Sequence, residues 1–577
     1  MTRIKIVFAA LSLAAIMNVG SQANAQTLKL VLAGSSAQWQ TLALGAYNGG
    51  NCVSGGTAPC FHYTNSSFNL TDTRPTLKGG SAAVDTGNIW IIWDSAATPN
   101  VWAFIKVDSG VGDRCYFAQP HCNVNVTTFP APSNLIGTTL WGDNSSDTLP
   151  STAIQNLFTS ATALVTAAAS DIRAEDALFA TCRANSKLGG GADGLAGLGY
   201  GVNASGVCPK FGAALANLQG QDIQSAYPGS TSTAHILAFA LTGKDPFSGT
   251  AVPVATTVPV GAAPVIFVVS RTGALAGATN ATDAEVQTMF SGANCDGGVV
   301  GGSGGPVSVY LREPLSGTMN TTEYSVFRYV NAIGKSQETG VNAVNPLSST
   351  CNSGGSRYRA IGTGEEVKSV LNSNANHGND GIGYTFFSYG NVSSIANNAN
   401  YGYLTLDGID GIFHIYGTTI DPGQPSTPGV LPAASNLPAT CSGAFPCPEK
   451  AIWKGNLSFP NLRNGSYRAW SNLRSISNGT ALSALATLIQ SSQTYVVSST
   501  PDFVPAAKVG SLDPGLPLLR SHYLQEGITP VNVATTGDRG GDAGGCILTN
   551  TGSPATSDTT TTLIQQEPGT ACAVWLQ

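Results

Sequence analysis

Four short turns carry the residue types that can hold an anion without a metal or a large positive field: Ser35-Ser36, Ser109-Gly110-Val111-Gly112, Ser170-Asp171 and Ser316-Gly317-Thr318. Hydroxyls and backbone N–H groups donate to an oxyanion, and where they open a helix the aligned peptide dipoles add to the attraction. Arg312 stands four residues before Ser316, so one loop offers a forked guanidinium together with hydroxyls and amides. Each residue also has a plainer reading. Arg312 can also be a surface arginine, Ser316-Gly317-Thr318 a helix cap, Asp171 the cap of a helix beginning near Arg173, and Ser36 a turn residue. Their combination carries the argument.

The chain offers little else for chemistry. Gly302-Ser303-Gly304-Gly305-Pro306, with Thr233-Ala234-His235 upstream, has the outline of the serine and histidine boxes of trypsin-like proteases. Gly302 stands where that box needs an aspartate, the intervening stretch is too short for most of two β-barrels, and no orienting carboxylate is evident. The histidines at 62, 121, 235, 377, 414 and 522 are scattered, with no carboxylate and histidine cluster of two-metal type. No enzyme activity, cofactor or metal is expected.

The anion-type turns need strands that deliver them. Residues 28–32 read as a short strand running through a small-residue turn into a helix over 38–46, the opening of an α/β unit. Strand-like segments at 101–107 and near 169 end at Ser109 and Ser170, and a strand at 307–311 delivers Arg312. In open α/β sheets, ligands sit at the carboxyl ends of strands. A helix over 282–290 has Thr282 as its N-cap and acidic residues in its first turn. Residues 323–333 carry an amphipathic helical pattern. The stretch 258–269 reads as a proline-marked turn feeding a β-branched strand, a crossover between two lobes. Residues 186–230 read as a Gly/Ala/Asn-rich insertion, 418–448 as a Pro/Ser-rich excursion and 531–562 as a Gly/Thr-rich tail.

Bulk composition sets the compartment. Arg3 and Lys5 precede an apolar run over 6–17 and the small-residue end Ala23-Asn24-Ala25, the pattern of a secretory signal cleaved before Gln26. No later stretch is apolar for long enough to span a bilayer. The 12 cysteines form sequence neighbours: Cys52 with Cys60, Cys115 with Cys122, Cys182 with Cys208, Cys295 with Cys351, Cys441 with Cys447 and Cys546 with Cys572. Structural disulfides are expected of an exported chain, although spacing alone does not establish the connectivity. Charged residues are 10% of the 577, and a net charge of −6 gives no basic field for nucleic acid.

The order of these turns resembles the phosphate-binding protein family of ABC phosphate uptake systems, which have a type II periplasmic binding fold. The Arg-x-x-x-Ser-Gly-Thr element is intact at Arg312, Ser316, Gly317 and Thr318. A Ser-Gly-x-Gly element stands at Ser109, Gly110 and Gly112, with Asp108 in place of the family's preceding Gly. Ser170-Asp171 matches the Ser-Asp turn, and Gly34-Ser35-Ser36-Ala37 the first turn without its usual aromatic. The resemblance implies an α/β, two-lobed protein with mixed sheets flanked by helices and loop-rich insertions. It further implies that Arg312 pairs with a tetrahedral oxyanion, that Ser316, Gly317 and Thr318 donate to it, and that Ser109, Gly110 and Ser36 close it from the other lobe. Asp171 would accept a hydrogen bond from protonated phosphate and so disfavour sulfate.

The expected layout is a signal at 1–25, lobe I from 26–258 plus 400–577, and lobe II from 259–399, with crossovers near 256–264 and 390–405. The expected role is a periplasmic or secreted solute-binding protein for inorganic phosphate or a related oxyanion, with an ABC permease and its ATPase as partners if the role is uptake. The other class left open is a secreted or surface interaction protein that keeps the fold without anion binding.

Overall fold

The computed structural model describes residues 26–172, 243–327, 349–413 and 458–516, with short gaps, and a few isolated positions elsewhere. In chain order its principal elements are β1 (Thr27–Ser35), α1 (Ser36–Asn48), β2 (Cys60–Asp72), β3 (Ala83–Asp94), β4 (Asn100–Val107), α2 (Ser109–Phe117), β5 (Asn123–Asn125), α3 (Thr152–Thr159), β6 (Ala167–Ser170) and β7 (Ala255–Ser270). There follow α4 (Asp283–Phe290), β8 (Val307–Arg312), α5 (Gly317–Thr322), β9 (Ser356–Ala360), α6 (Gly362–Leu371), β10 (Asp380–Phe386), β11 (Tyr401–Leu406), β12 (Trp470–Ser477) and α7 (Gly479–Ser498).

The protein is two-lobed mixed α/β. In the first lobe the strand order is β5-β2-β3-β4-β1-β6-β12-β7, with β1 parallel to β4 and β6 and the other pairs antiparallel. β1 sits centrally, and its run Leu30 to Ala33 is wholly buried, as expected of a strand covered on both faces. In the second lobe the order is β11-β7-β10-β8-β9, with β8 parallel to both β9 and β10.

One strand serves both lobes. The first part of β7, Thr256 to Pro264, pairs with β12, and its second part, Val265 to Ser270, pairs with β10 and β11. The segment read from sequence as a turn before a strand is therefore one continuous 16-residue strand. Its prolines lie at changes of pairing. Pro259 borders the register shift opposite Leu473 and Arg474, and Pro264 is the last residue paired with β12 before Val265 pairs with β10. A proline lacks the N–H of a regular ladder and is tolerated at such irregularities.

The return crossing differs from expectation. Residues 401–406 pair antiparallel with Phe267 to Ser270 inside the second lobe, and the next strand in the first lobe is β12. The physical reason is that β7 is buried without a break from Val260 to Ser270, so its second part requires a partner on each edge.

Local signals translate directly at several points. Thr282 caps α4 in a reciprocal capping box with Glu285. The pairs Cys52–Cys60, Cys115–Cys122 and Cys295–Cys351 are disulfide-bonded. The 323–333 pattern begins as a π-helical turn, Glu323–Phe327, continuing from α5. Among the described residues, no helix is long and apolar enough to cross a membrane. Residues 1–25, the 186–230 insertion, His235, and Cys182, Cys208, Cys441, Cys447, Cys546 and Cys572 lie outside the described residues.

Candidate functional site

β1, β4, β6 and β8 each end at one of the four turns. At the end of β1, Ser35 caps α1, its Oγ accepting from Ala37 N at 3.2 Å and donating to the Asp171 carboxylate. Ser36 points the other way: its hydroxyl pairs with the Thr363 hydroxyl of α6 at 3.0 Å. At the end of β4, Asp108 precedes α2, and Ser109 Oγ accepts from Asp171 N at 3.1 Å. Gly110 is buried in the first turn of α2. Gly112 allows that helix to lie on β1, since a Cβ there would come within 2.5 Å of the Ala33 carbonyl oxygen and of Gly34 Cα.

β6 ends at Ser170, whose Oγ donates to Asp113 Oδ2 at 3.1 Å, and the next carbonyl, that of Asp171, accepts from Ser471 Oγ at 2.8 Å. Backbone and side chain of Asp171 are therefore both held. Burial pushes the Asp171 carboxyl up to about 6, against the lowering effects of the Ser35 hydroxyl, Arg312, the Ser109 hydroxyl and Arg474.

β8 delivers Arg312, which is 2% exposed. Nε and Nη2 donate to the two carboxylate oxygens of Glu313 at 2.8 and 2.7 Å, while Nη1 donates to Thr318 Oγ1 at 3.2 Å and Thr363 Oγ1 at 3.3 Å. This fork fixes the plane of the guanidinium. Glu313 also accepts from Gly362 N at 3.0 Å. Burial and the neighbouring Asp108 carboxyl push Glu313 well up. Ser316 caps α5, its Oγ accepting from Met319 N at 3.2 Å.

The lobes meet at Gly317. A Cβ on this residue would lie 2.6 Å from Asp171 Cβ, 2.7 Å from Ser109 Oγ and 2.8 Å from Asp171 Oδ2. Of the residues singled out in sequence, Ser109, Asp171 and Gly317 thus adjoin one another. Arg312 bonds to Thr318, Ser316 opens their helix, and Ser36 joins Arg312 through Thr363. The cluster presents hydroxyls and a fixed guanidinium beside the buried carboxyls of Asp108, Asp171 and Glu313. Glu313, Thr363 and Arg474 were not singled out in sequence. Glu313 was detectable as the neighbour of Arg312, and Thr363 by its Gly-Thr-Gly setting after a strand. Arg474, on β12 beside Ser170, had no local signal.

No protein-family model matches the sequence, and no curated protein matches it. Among solved structures the chain is similar to a putative phosphate ABC transporter substrate-binding protein with bound phosphate from Clostridium perfringens, at 14% identity and TM-score 0.24, covering 41% of this chain and 65% of that one, just under two thirds. A human phosphate binding apolipoprotein matches at 14% identity and TM-score 0.32, covering 80% of this chain and 85% of that one. PfluDING, a high affinity periplasmic phosphate-binding protein, matches at 14% identity and TM-score 0.32, covering 83% of this chain and 90% of that one.

Proposed function

We propose that the chain is an exported solute-binding protein that captures inorganic phosphate or a similar tetrahedral oxyanion between its two lobes. The observation that carries this reading is the packing of Gly317 against Asp171 and Ser109, beside an Arg312 whose plane is set by Glu313. Ser36, Ser109, Gly110, Asp171, Arg312, Ser316, Gly317 and Thr318 are the proposed ligand residues. Hydroxyls, amides and one arginine then recognise the anion at short range, which suits a chain with net charge −6. Asp171 supplies selectivity. A carboxylate can accept a hydrogen bond from protonated phosphate, whereas sulfate at neutral pH has no proton to offer and meets an uncompensated charge. Lobe closure excludes water and strengthens each contact. The disulfides among the described residues support an oxidising compartment, periplasmic or secreted. In uptake, the partner would be a membrane permease with its ATPase.

The test is calorimetric titration of phosphate, with sulfate as control, into phosphate-stripped protein and its Arg312→Ala and Asp171→Asn variants. The parent should bind phosphate and reject sulfate. Losing charged hydrogen bonds worth about 1.5–3 kcal/mol should weaken phosphate binding by Arg312→Ala roughly 10- to 150-fold. Asp171→Asn should admit sulfate. Absence of binding by the parent to either anion would overturn this reading in favour of a secreted interaction protein with the same fold.

A further inference from the structure

A second polar cluster lies on β2, apart from the four turns, where His62 stands between a serine and an aspartate. His62 Nδ1 is 2.9 Å from Asp147 Oδ1, and His62 Nε2 is 2.7 Å from Ser145 Oγ. The imidazole is 2% exposed, stacked on Trp141 with ring centroids 3.9 Å apart and met edge-on by Tyr47 at 4.8 Å. Asp147 is held by its other oxygen, Oδ2, which accepts from Thr64 N and Asn134 N at 2.9 Å each and from the Thr64 hydroxyl. A carboxylate only accepts, so Nδ1 must be the donor and Nε2 of the neutral ring is left to accept the Ser145 proton. Ser145 is half-buried between exposed Asn144 and Ser146, on a turn where Asn144 takes a left-handed φ of 57°.

We propose that Ser145, His62 and Asp147 form a serine-nucleophile centre that hydrolyses esters of small carboxylic acids, independently of anion binding at the lobe interface. The order of contacts, hydroxyl to Nε2 and carboxylate to Nδ1, is what nucleophilic serine chemistry requires. Ser145 Oγ attacks the ester carbonyl carbon and its proton passes to His62 Nε2. The Tyr47 hydroxyl lies beside Ser145 and donates its proton to the Asp143 carboxylate. The carbonyl carbon's bond to the alcohol oxygen then breaks, and that oxygen takes the proton from His62, leaving an acyl-Ser145. Water attacks the acyl carbon, gives one proton to His62, and the carboxylic acid departs as Ser145 recovers that proton. Asp147 touches no reacting atom and is a positioning residue. Sequence spacing concealed the arrangement because His62 lies 83 residues from Ser145.

The test treats the full chain with a fluorophosphonate probe, maps the adduct by peptide mass spectrometry, and follows p-nitrophenyl acetate hydrolysis. An adduct on Ser145 is expected, absent from Ser145→Ala and from His62→Gln. Hydrolysis should exceed the Ser145→Ala background at least tenfold. Ser145→Ala leaves the lobe interface untouched, so its phosphate titration should match the parent's. Asp147→Asn should lower kcat with KM retained; a purely structural Asp147 would lower the melting temperature and keep kcat. Failure of Ser145 to label, with equal hydrolysis by parent and Ser145→Ala, would overturn the proposal and leave His62 as a pin holding residues 134–148 on β2.

Discussion

Gly317→Ala isolates lobe closure from ligand contact, because the added methyl removes no donor. Ordinary van der Waals contact begins near 3.4 Å, while the new Cβ would face Asp171 Cβ at 2.6 Å, Ser109 Oγ at 2.7 Å and Asp171 Oδ2 at 2.8 Å. Asp171 Cβ cannot swing aside, being bonded to a backbone whose N–H and C=O are tied to Ser109 and Ser471. The lobes must therefore part by several tenths of an ångström. Overpacking of this kind costs about 1–3 kcal/mol. The clash lies between lobes, so its cost falls on the closed form and appears as phosphate affinity weakened roughly 5- to 150-fold. Calorimetric titration measures it, with thermal melting of the unliganded protein alongside. An affinity within twofold of the parent would refute the argument that this contact closes the site.

Further outcomes follow from other parts of the chain. Burial first of all raises the Glu366 carboxyl from 4.5 to about 8, so its stabilising contribution is complete below 4.5 and is lost as pH rises to about 8. Glu366→Gln should consequently flatten the fall in melting temperature between pH 5 and pH 8; parallel melting curves for the two proteins would contradict this. Replacing Cys295 and Cys351 together by alanine opens a loop with a sequence separation of 56, which should cost about 4 kcal/mol in denaturant unfolding. Thr282→Ala removes half of the capping box on α4 and should cost about 1 kcal/mol, read from the same unfolding curves; an unchanged midpoint would show that the cap is not stabilising.

What could be read from sequence was what neighbouring residues decide. Ser109-Gly110-Val111-Gly112 announces a helix start on a crowded strand end because Gly112 is the residue that permits close approach, and Thr282 with Glu285 announces a cap because both partners lie within one turn. Distant partners leave no such trace. Pro259 and Pro264 suggested a turn, since proline lacks a ladder N–H; only the pairing of β7 with β12 on one side and with β10 and β11 on the other makes them tolerable within one strand. The same holds for charge. Asp171 read as a helix cap or a ligand contact, and the choice turns on Ser35 at 136 residues' separation, Ser109 at 62 and Ser471 at 300. Those three bonds already occupy its backbone groups and one carboxylate oxygen. One oxygen of the Asp171 side chain is bonded to Ser35, and the other, Oδ2, faces Gly317 and the opposite lobe. A carboxyl held in this way presents Oδ2 in a fixed direction, and the bonds that hold it come from residues 62 to 300 positions away in sequence.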